Sequence, residues 1–263
     1  MLCAAVGIAV AGETPDTAAE AGWTKTSRQY FHALEAASRV RVDNPHGNIY
    51  VRFGGYENQL EVLATAQRID RDLPELGVVL EPSESGLELI VAPLDHGDAA
   101  PDRETGSARR DRIDLVVFIP RDIALELRTL DDDVEVKGIK SDLVVNTRAG
   151  GIRLRKVAGR VVAKSKRGSI SVALENGVTR LPQELATETG EIEAYLWEDA
   201  AMRVTIATSG RISTDFSLEI EHRRYEEPGK YATAILGDEG PQLKIWSKRG
   251  DVRLLRLPRE DPR

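Results

Sequence analysis

Apolar and polar residues alternate with period two along most of this chain. The clearest apolar pairs are Leu143/Val145, Ile152/Leu154, Ile170/Val172, Val204/Ile206, Leu243/Ile245 and Val252/Leu254. The positions between such residues are mostly charged, as at Glu135, Arg153, Arg155, Arg203, Lys244 and Arg253. That pattern predicts strands with one face buried and the other in water. Helical periodicity is nearly absent; only Gln29–Ala37 hints at a turn or two.

Between the strands a corner recurs, in the frame Thr or Ser, two residues, Gly, one residue, then Ile or Val. It reads "TRAGGI" at Thr147, "SKRGSI" at Ser165, "TETGEI" at Thr187 and "SKRGDV" at Ser247. "ATSGRI" at Ala207 and "TLDDDV" at Thr129 are imperfect copies, and "NPHGNI" at Asn44 is an early member. The pivots are therefore Gly47, Asp132, Gly150, Gly168, Gly190, Gly210 and Gly250. From 132 onward they are spaced by 18, 18, 22, 20 and 40 residues, and the last spacing predicts two steps with one degenerate copy between. Glycine is expected there because a turn with positive φ suits it, and aspartate tolerates that conformation better than most other residues.

Two all-β architectures accommodate the series. In a β-solenoid or β-roll each step of about 20 residues is one stacked coil, eight or so in all, with Thr147, Ser165 and Thr187 forming a ladder. In a β-sandwich meander each corner is a hairpin turn. The solenoid is favoured, because the same corner chemistry returns once per step. Residues 36–258 are expected to form a single β-repeat domain, after a flexible segment over 13–35 and before a tail over 259–263. A mobile loop is expected over 93–112 and a hairpin insertion over 221–241, turning at Pro228-Gly229. The Pro- and Arg-rich C-terminus, with Pro258 and Pro262, is expected to blunt the open edge there.

The opening "VRVDNPHGNIYVR" at Val40–Arg52, the "VVFIPRDIALELRTLDDDVEVKGI" block at Val116–Ile139 and the Gly-Ile corners that follow resemble the bacterial putative-adhesin family. This is a β-strand-repeat domain of unknown function found in exported and envelope proteins, and the resemblance runs over roughly residues 38–256. It implies a solenoid-like, periplasmic or surface-facing protein without a family-wide catalytic residue. Asp132 and Ala207 depart from the family's Gly and Thr/Ser.

Composition narrows the function. The 263 residues carry 43 acidic against 36 basic side chains, a net charge of −7, which argues against a nucleic-acid partner. Aromatics make up only 5%, so the core must come from Val, Ile, Leu and Ala. The single Cys3 excludes an intrachain disulfide. It lies in the apolar run Leu2–Ala11, which ends in a small-x-small pattern. Residues 1–12 read as a truncated signal peptide lacking its basic start, and export follows from that reading. A lipid anchor on Cys3 and a start codon assigned too far downstream are alternatives. No other apolar run reaches the ~20 residues of a membrane helix.

Candidate chemistry is sparse. His32, His46, His96 and His222 lack metal-ligand spacing, and no nucleophile elbow, P-loop or dinucleotide fingerprint is present, so neither metal nor cofactor is expected. Asp131-Asp132-Asp133 could bind calcium or supply carboxylates for polysaccharide cleavage, but a solvated turn explains it as well. Arg249-Gly250-Asp251 spells an integrin-type tripeptide inside a corner that already accounts for each residue. Trp197 and Trp246 suit either a carbohydrate platform or side packing. The basic residues Arg148, Arg153, Arg155, Lys164, Lys166 and Arg167 are the candidate binding strip, in reach of an anionic envelope polymer, a glycan or another envelope protein. The expected function is a non-enzymatic, adhesin-like binding or scaffolding module of the cell envelope. A polysaccharide-cleaving enzyme using Asp131–Asp133 is the alternative, and self-association is a third reading.

Overall fold

The computed structural model describes residues 11–16, 24–34, 39–55, 58–68, 74–84, 86–93, 111–175, 181–238 and 240–257. Most of the loop expected over 93–112, the tail and most of the signal-like run lie outside these. The N-terminal strands are β1 (Ala11–Asp16), β2 (Thr24–Ala33), β3 (Arg39–Asn44), β4 (Ile49–Phe53), β5 (Gln59–Arg68), β6 (Leu76–Ser83), β7 (Gly86–Pro93) and β8 (Arg112–Ile119). The central ones are β9 (Ala124–Thr129), β10 (Val134–Lys137), β11 (Leu143–Thr147), β12 (Ile152–Val157), β13 (Val161–Ser165), β14 (Ile170–Leu174), β15 (Gln183–Thr187) and β16 (Ile192–Leu196). The C-terminal ones are β17 (Met202–Thr208), β18 (Ile212–Thr214), β19 (Glu219–His222), β20 (Lys230–Leu236), β21 (Gln242–Ser247) and β22 (Val252–Arg256).

The class is all-β, and the described residues contain no helix. The strands form two eleven-stranded mixed sheets. Sheet A runs β1-β2-β5-β8-β4-β10-β12-β14-β16-β22-β18, and sheet B runs β19-β20-β17-β21-β15-β13-β11-β9-β3-β7-β6. Each corner carries the chain from sheet B to sheet A. The next connection returns it beside the strand it left, in parallel register: Leu143 beside Val161, Ile152 beside Ile170. Eight such two-strand rungs lie side by side, and their inward residues fill the space between the sheets. Val134, Ile152, Ile170, Ile192 and Val252 form one row, each at most 2% exposed.

The pivots stack along one edge. A Cβ on Gly168 would stand 1.9 Å from the carbonyl oxygen of Gly150; one on Gly190 would stand 2.1 Å from that of Gly168, and one on Gly250 1.8 Å from that of Gly190. Glycine is thus required by the approach of neighbouring backbones. The expectation of positive φ fails along most of the series, where only Gly47 has it, at 144°. Asp132 likewise has no positive φ, and its carboxyl turns to Arg112 at 3.3 Å.

At four corners a buried hydroxyl locks the corner to its neighbour, while Thr147 instead donates to the Leu130 and Gly150 carbonyls at 3.1 and 3.3 Å. Ser165 Oγ accepts the Gly168 N–H at 2.8 Å and donates to the Gly150 carbonyl at 3.4 Å. Thr187, Ser247 and Thr208 repeat both bonds with their own and the neighbouring glycine. Buried backbone groups left without partners cost more than a made bond returns. That is why Thr or Ser precedes the glycine.

The spatial order of the rungs differs from the sequence order. The Gly250 corner stacks on Gly190, and Gly210 stacks on Gly250. No degenerate coil fills the 40-residue spacing. The chain instead overshoots by one rung into β17 and β18, turns through the antiparallel pair β19–β20, and re-enters as β21 and β22 between rungs already passed. The N-terminal end is built alike, with β3 flanked by β7 and β9. Residues 24–33, expected to be flexible or faintly helical, instead pair over ten positions with β5. Alternation in "TKTSRQYF" is weak, but a strand second from the sheet's end needs only one sparsely apolar face. Antiparallel strands β1, β6 and β19 form three of the four sheet edges, and β18, parallel to β22, forms the fourth.

One core position breaks the apolar rule. Gln183, 4% exposed, stands in register between Val161 and Leu243, and its Oε1 has no hydrogen-bond partner among the described residues. Two outcomes are expected in denaturant unfolding. Gly168→Ala destabilises by at least the ~1–3 kcal/mol typical of overpacking, since the clash is with backbone. Gln183→Leu stabilises by about 1 kcal/mol, by removing an unpaired buried carbonyl.

Candidate functional site

The six cations proposed as one strip fall in three places. Arg153 and Arg155 point outward from β12 in sheet A; Lys164 points outward from β13 in sheet B, on the opposite side. Arg148, Lys166 and Arg167 sit at the corners. The reason is topological: each corner changes sheet, so charges close in sequence are carried to different faces. Several pair laterally, between neighbouring rungs. Arg148 pairs with Asp131, Arg167 lies 4.0 Å from the same carboxylate, Lys164 is 2.8 Å from Glu184 and Arg153 3.8 Å from Glu135. Exposed pairs of this kind contribute ~0.2–1 kcal/mol each.

The three aspartates are each committed to a different partner. The Arg148 hydrogen bond holds the Asp131 carboxyl below its usual pKa. Asp133 Oδ1 accepts the Gly151 N–H at 2.7 Å, closing the next corner. Asp132 is pushed up by burial, with Arg112 opposing. Among the described residues no group of three metal-ligating side chains occurs. The Arg-Gly-Asp corner is similarly occupied: Arg249 binds Glu227 at 2.8 Å, Gly250 belongs to the stack, and Asp251 accepts the Arg211 N–H at 2.8 Å. His32, His46 and His222 lie on β2, in the Gly47 corner and on β19, while His96 is outside the described residues. Trp246 faces outward from sheet B between Ala186 and Ala207. Trp197 follows β16, its indole N–H buried without a partner.

A broader feature occupies the outer face of sheet A. Three residues after each pivot stand Tyr50, Glu135, Arg153, Ser171, Glu193 and Arg253, side by side across β4, β10, β12, β14, β16 and β22. Five residues after each pivot stand Arg52, Lys137, Arg155, Ala173, Tyr195 and Leu255. Because Ser171 and Ala173 are short, the surface sinks along β14 between longer neighbours. The result is an open depression of about 470 Å³ with Tyr50 near one end and Tyr195 near the other. Burial, with nearby carboxylates, raises both phenol pKa values, so both rings stay neutral. Its carboxylates already have partners: Glu135 binds Arg52 at 2.8 Å, and Arg253 binds Glu191 at 2.8 Å and Glu193 at 3.0 Å. Of its residues the sequence strip named only Arg153 and Arg155. Tyr50 and Tyr195 in its lining, and Arg52 and Lys137 in the row beside it, become visible when the repeats are aligned on their pivots and read at fixed offsets.

The fold and this face define a two-sheet β-repeat protein with an open polar depression rather than an enclosed pocket. No family model and no curated protein matches the chain. Solved structures to which it is similar include a putative cell adhesion protein from Clostridium sporogenes, at 14% identity and TM-score 0.42, covering 88% of this chain and 100% of that one. Others are a putative adhesin from Bacteroides fragilis, at 9% identity and TM-score 0.31 over 88% and 97% of the two chains, and one from Parabacteroides merdae, at 8% and 0.33 over 91% and 98%. Among the described residues no helix is long and apolar enough to cross a membrane.

Asp132 generates a pH prediction. Its folded pKa lies above the ordinary 3.8, so its charge opposes folding at neutral pH. That penalty is absent below 3.8, grows as pH rises, and is complete above the folded value. Asp132→Asn is therefore expected to raise the melting temperature at pH 7, with the gain fading as pH falls toward 3.8.

Proposed function

We propose that this chain is a non-enzymatic, adhesin-like binding module of the bacterial cell envelope, engaging its partner across the outer face of sheet A. The observation that carries this reading is the depression itself. It is open, spans several parallel strands, and is lined by phenols, hydroxyls, guanidinium groups and carboxylates. Such a lining suits shallow contact over an extended ligand better than it suits enclosing a reacting bond. The separate commitments of Asp131, Asp132 and Asp133 favour binding over cleavage, because a hydrolytic pair needs carboxylates aimed at one bond.

We read the eight stacked rungs as a short β-solenoid with antiparallel strands at three of its four sheet edges. The parallel register and the stacked pivots support that description. Export to the periplasm or cell surface is part of the same reading, and rests on the family resemblance and on the apolar run Leu2–Ala11.

Ser171→Trp fills the floor of the depression from an outward position and leaves the core untouched. It is expected to abolish retention of the purified protein on immobilised envelope polysaccharide, with an unchanged melting temperature. Lys164→Gln, on the opposite sheet, should leave retention intact. Equal retention by both variants would remove the face from consideration.

A further inference from the structure

On the reading of this face as the binding surface, we infer that its ligand is an acidic oligosaccharide. It lies across the strands with carboxylates over Arg52, Lys137 and Arg155 and sugar faces against Tyr50 and Tyr195. Elsewhere on the sheets outward pairs such as Arg41–Glu88, Lys164–Glu184 and Arg253–Glu193 join opposite charges on adjacent strands. Here three cations stand side by side instead, on β4, β10 and β12. Like charges directly opposite one another destabilise a sheet. Arg52 alone of the three has a carboxylate, Glu135 at 2.8 Å; Lys137 and Arg155 make no ion pair among the described residues. An anion laid over the row would remove the repulsion.

The neighbouring acids do not forbid that anion. Glu135 lies between Arg52 and Arg153, at 2.8 and 3.8 Å, Glu191 and Glu193 share Arg253, and the Asp133 carboxylate is held by the Gly151 N–H; with Lys137 and Arg155 added, five cations face four carboxylates here. The rest of the lining selects a sugar over a simpler polyanion. Ser169 and Ser171 offer hydroxyls at the floor, and the two tyrosines stand four strand spacings apart, roughly 19 Å at the usual inter-strand distance. That span exceeds a single sugar ring, so the ligand is a chain. A phosphate polymer would use the cations but would gain nothing from the aromatic rings.

The test is calorimetric titration of the purified full chain with oligogalacturonate, alginate oligosaccharides, the methyl ester of the former, and inorganic polyphosphate. At least one uronate chain is expected to bind. Loss of its charge on esterification, or the double change Lys137→Gln/Arg155→Gln, should weaken binding by about tenfold or more, as loss of charge-assisted hydrogen bonds does. Tyr195→Ala should weaken it about fivefold, and Lys164→Gln not at all. Polyphosphate binding as tight as uronate binding and indifferent to Tyr195→Ala would overturn the sugar assignment. If no uronate binds while envelope retention still depends on Ser171, the ligand class is wrong and the surface stands. Loss of both refutes the surface as well.

Discussion

The fold depends on a single file of hydroxyl-to-glycine contacts down one edge. Ser165, Thr187, Ser247 and Thr208 each accept a hydrogen bond from the glycine amide of their own corner and donate one to the glycine carbonyl of the neighbouring rung. The corners approach so closely that a methyl group at a stacked glycine would collide with backbone. Steric and polar demands therefore fall on the same tripeptide spacing, and satisfying one satisfies the other. The strands add area between the sheets, but the corners set their register.

Fixing register inside the molecule also fixes it outside. Because side chains alternate along a strand, aligning Val134, Ile152 and Ile170 inward aligns Glu135, Arg153 and Ser171 outward. A substitution on the solvent face is thus placed in a row with its counterparts several rungs away. The depression over β14 arises in this way, from two short residues in rows of long ones. No loop is needed to build it, and the surface inherits the stiffness of the core beneath.

The repeat made the strands and pivots legible in the sequence, because period-two alternation and the Thr/Ser-x-x-Gly spacing are local. The hydroxyl ladder was legible for the same reason. Rung order was not. Gly250 stacks on Gly190 only because β19–β20 return the chain, and a local pattern cannot report a re-entry. The reason for glycine at Gly168 was also hidden, since a turn's own torsion and a neighbour's backbone demand the same residue. For the outer face of sheet A, Arg148 through Arg167 looked like one strip when read along the chain. Read across it at fixed offsets from the pivots, the same repeats give Arg52, Lys137, Arg155 and Tyr195, which lie far apart in sequence.

The re-entry of β21 and β22 gives the C-terminal end its own order of assembly. A chain emerging from its N-terminus has β17 in hand well before β21, yet the two strands that β17 finally joins are β20 and β21, not β15. Until residues 242–256 are out, β15 and β16 present bare edges, and β17 can adhere to them in a register that must later be undone. Residues 242–256 thus act as a wedge, whose arrival decides whether the molecule closes on itself or offers those edges to another chain.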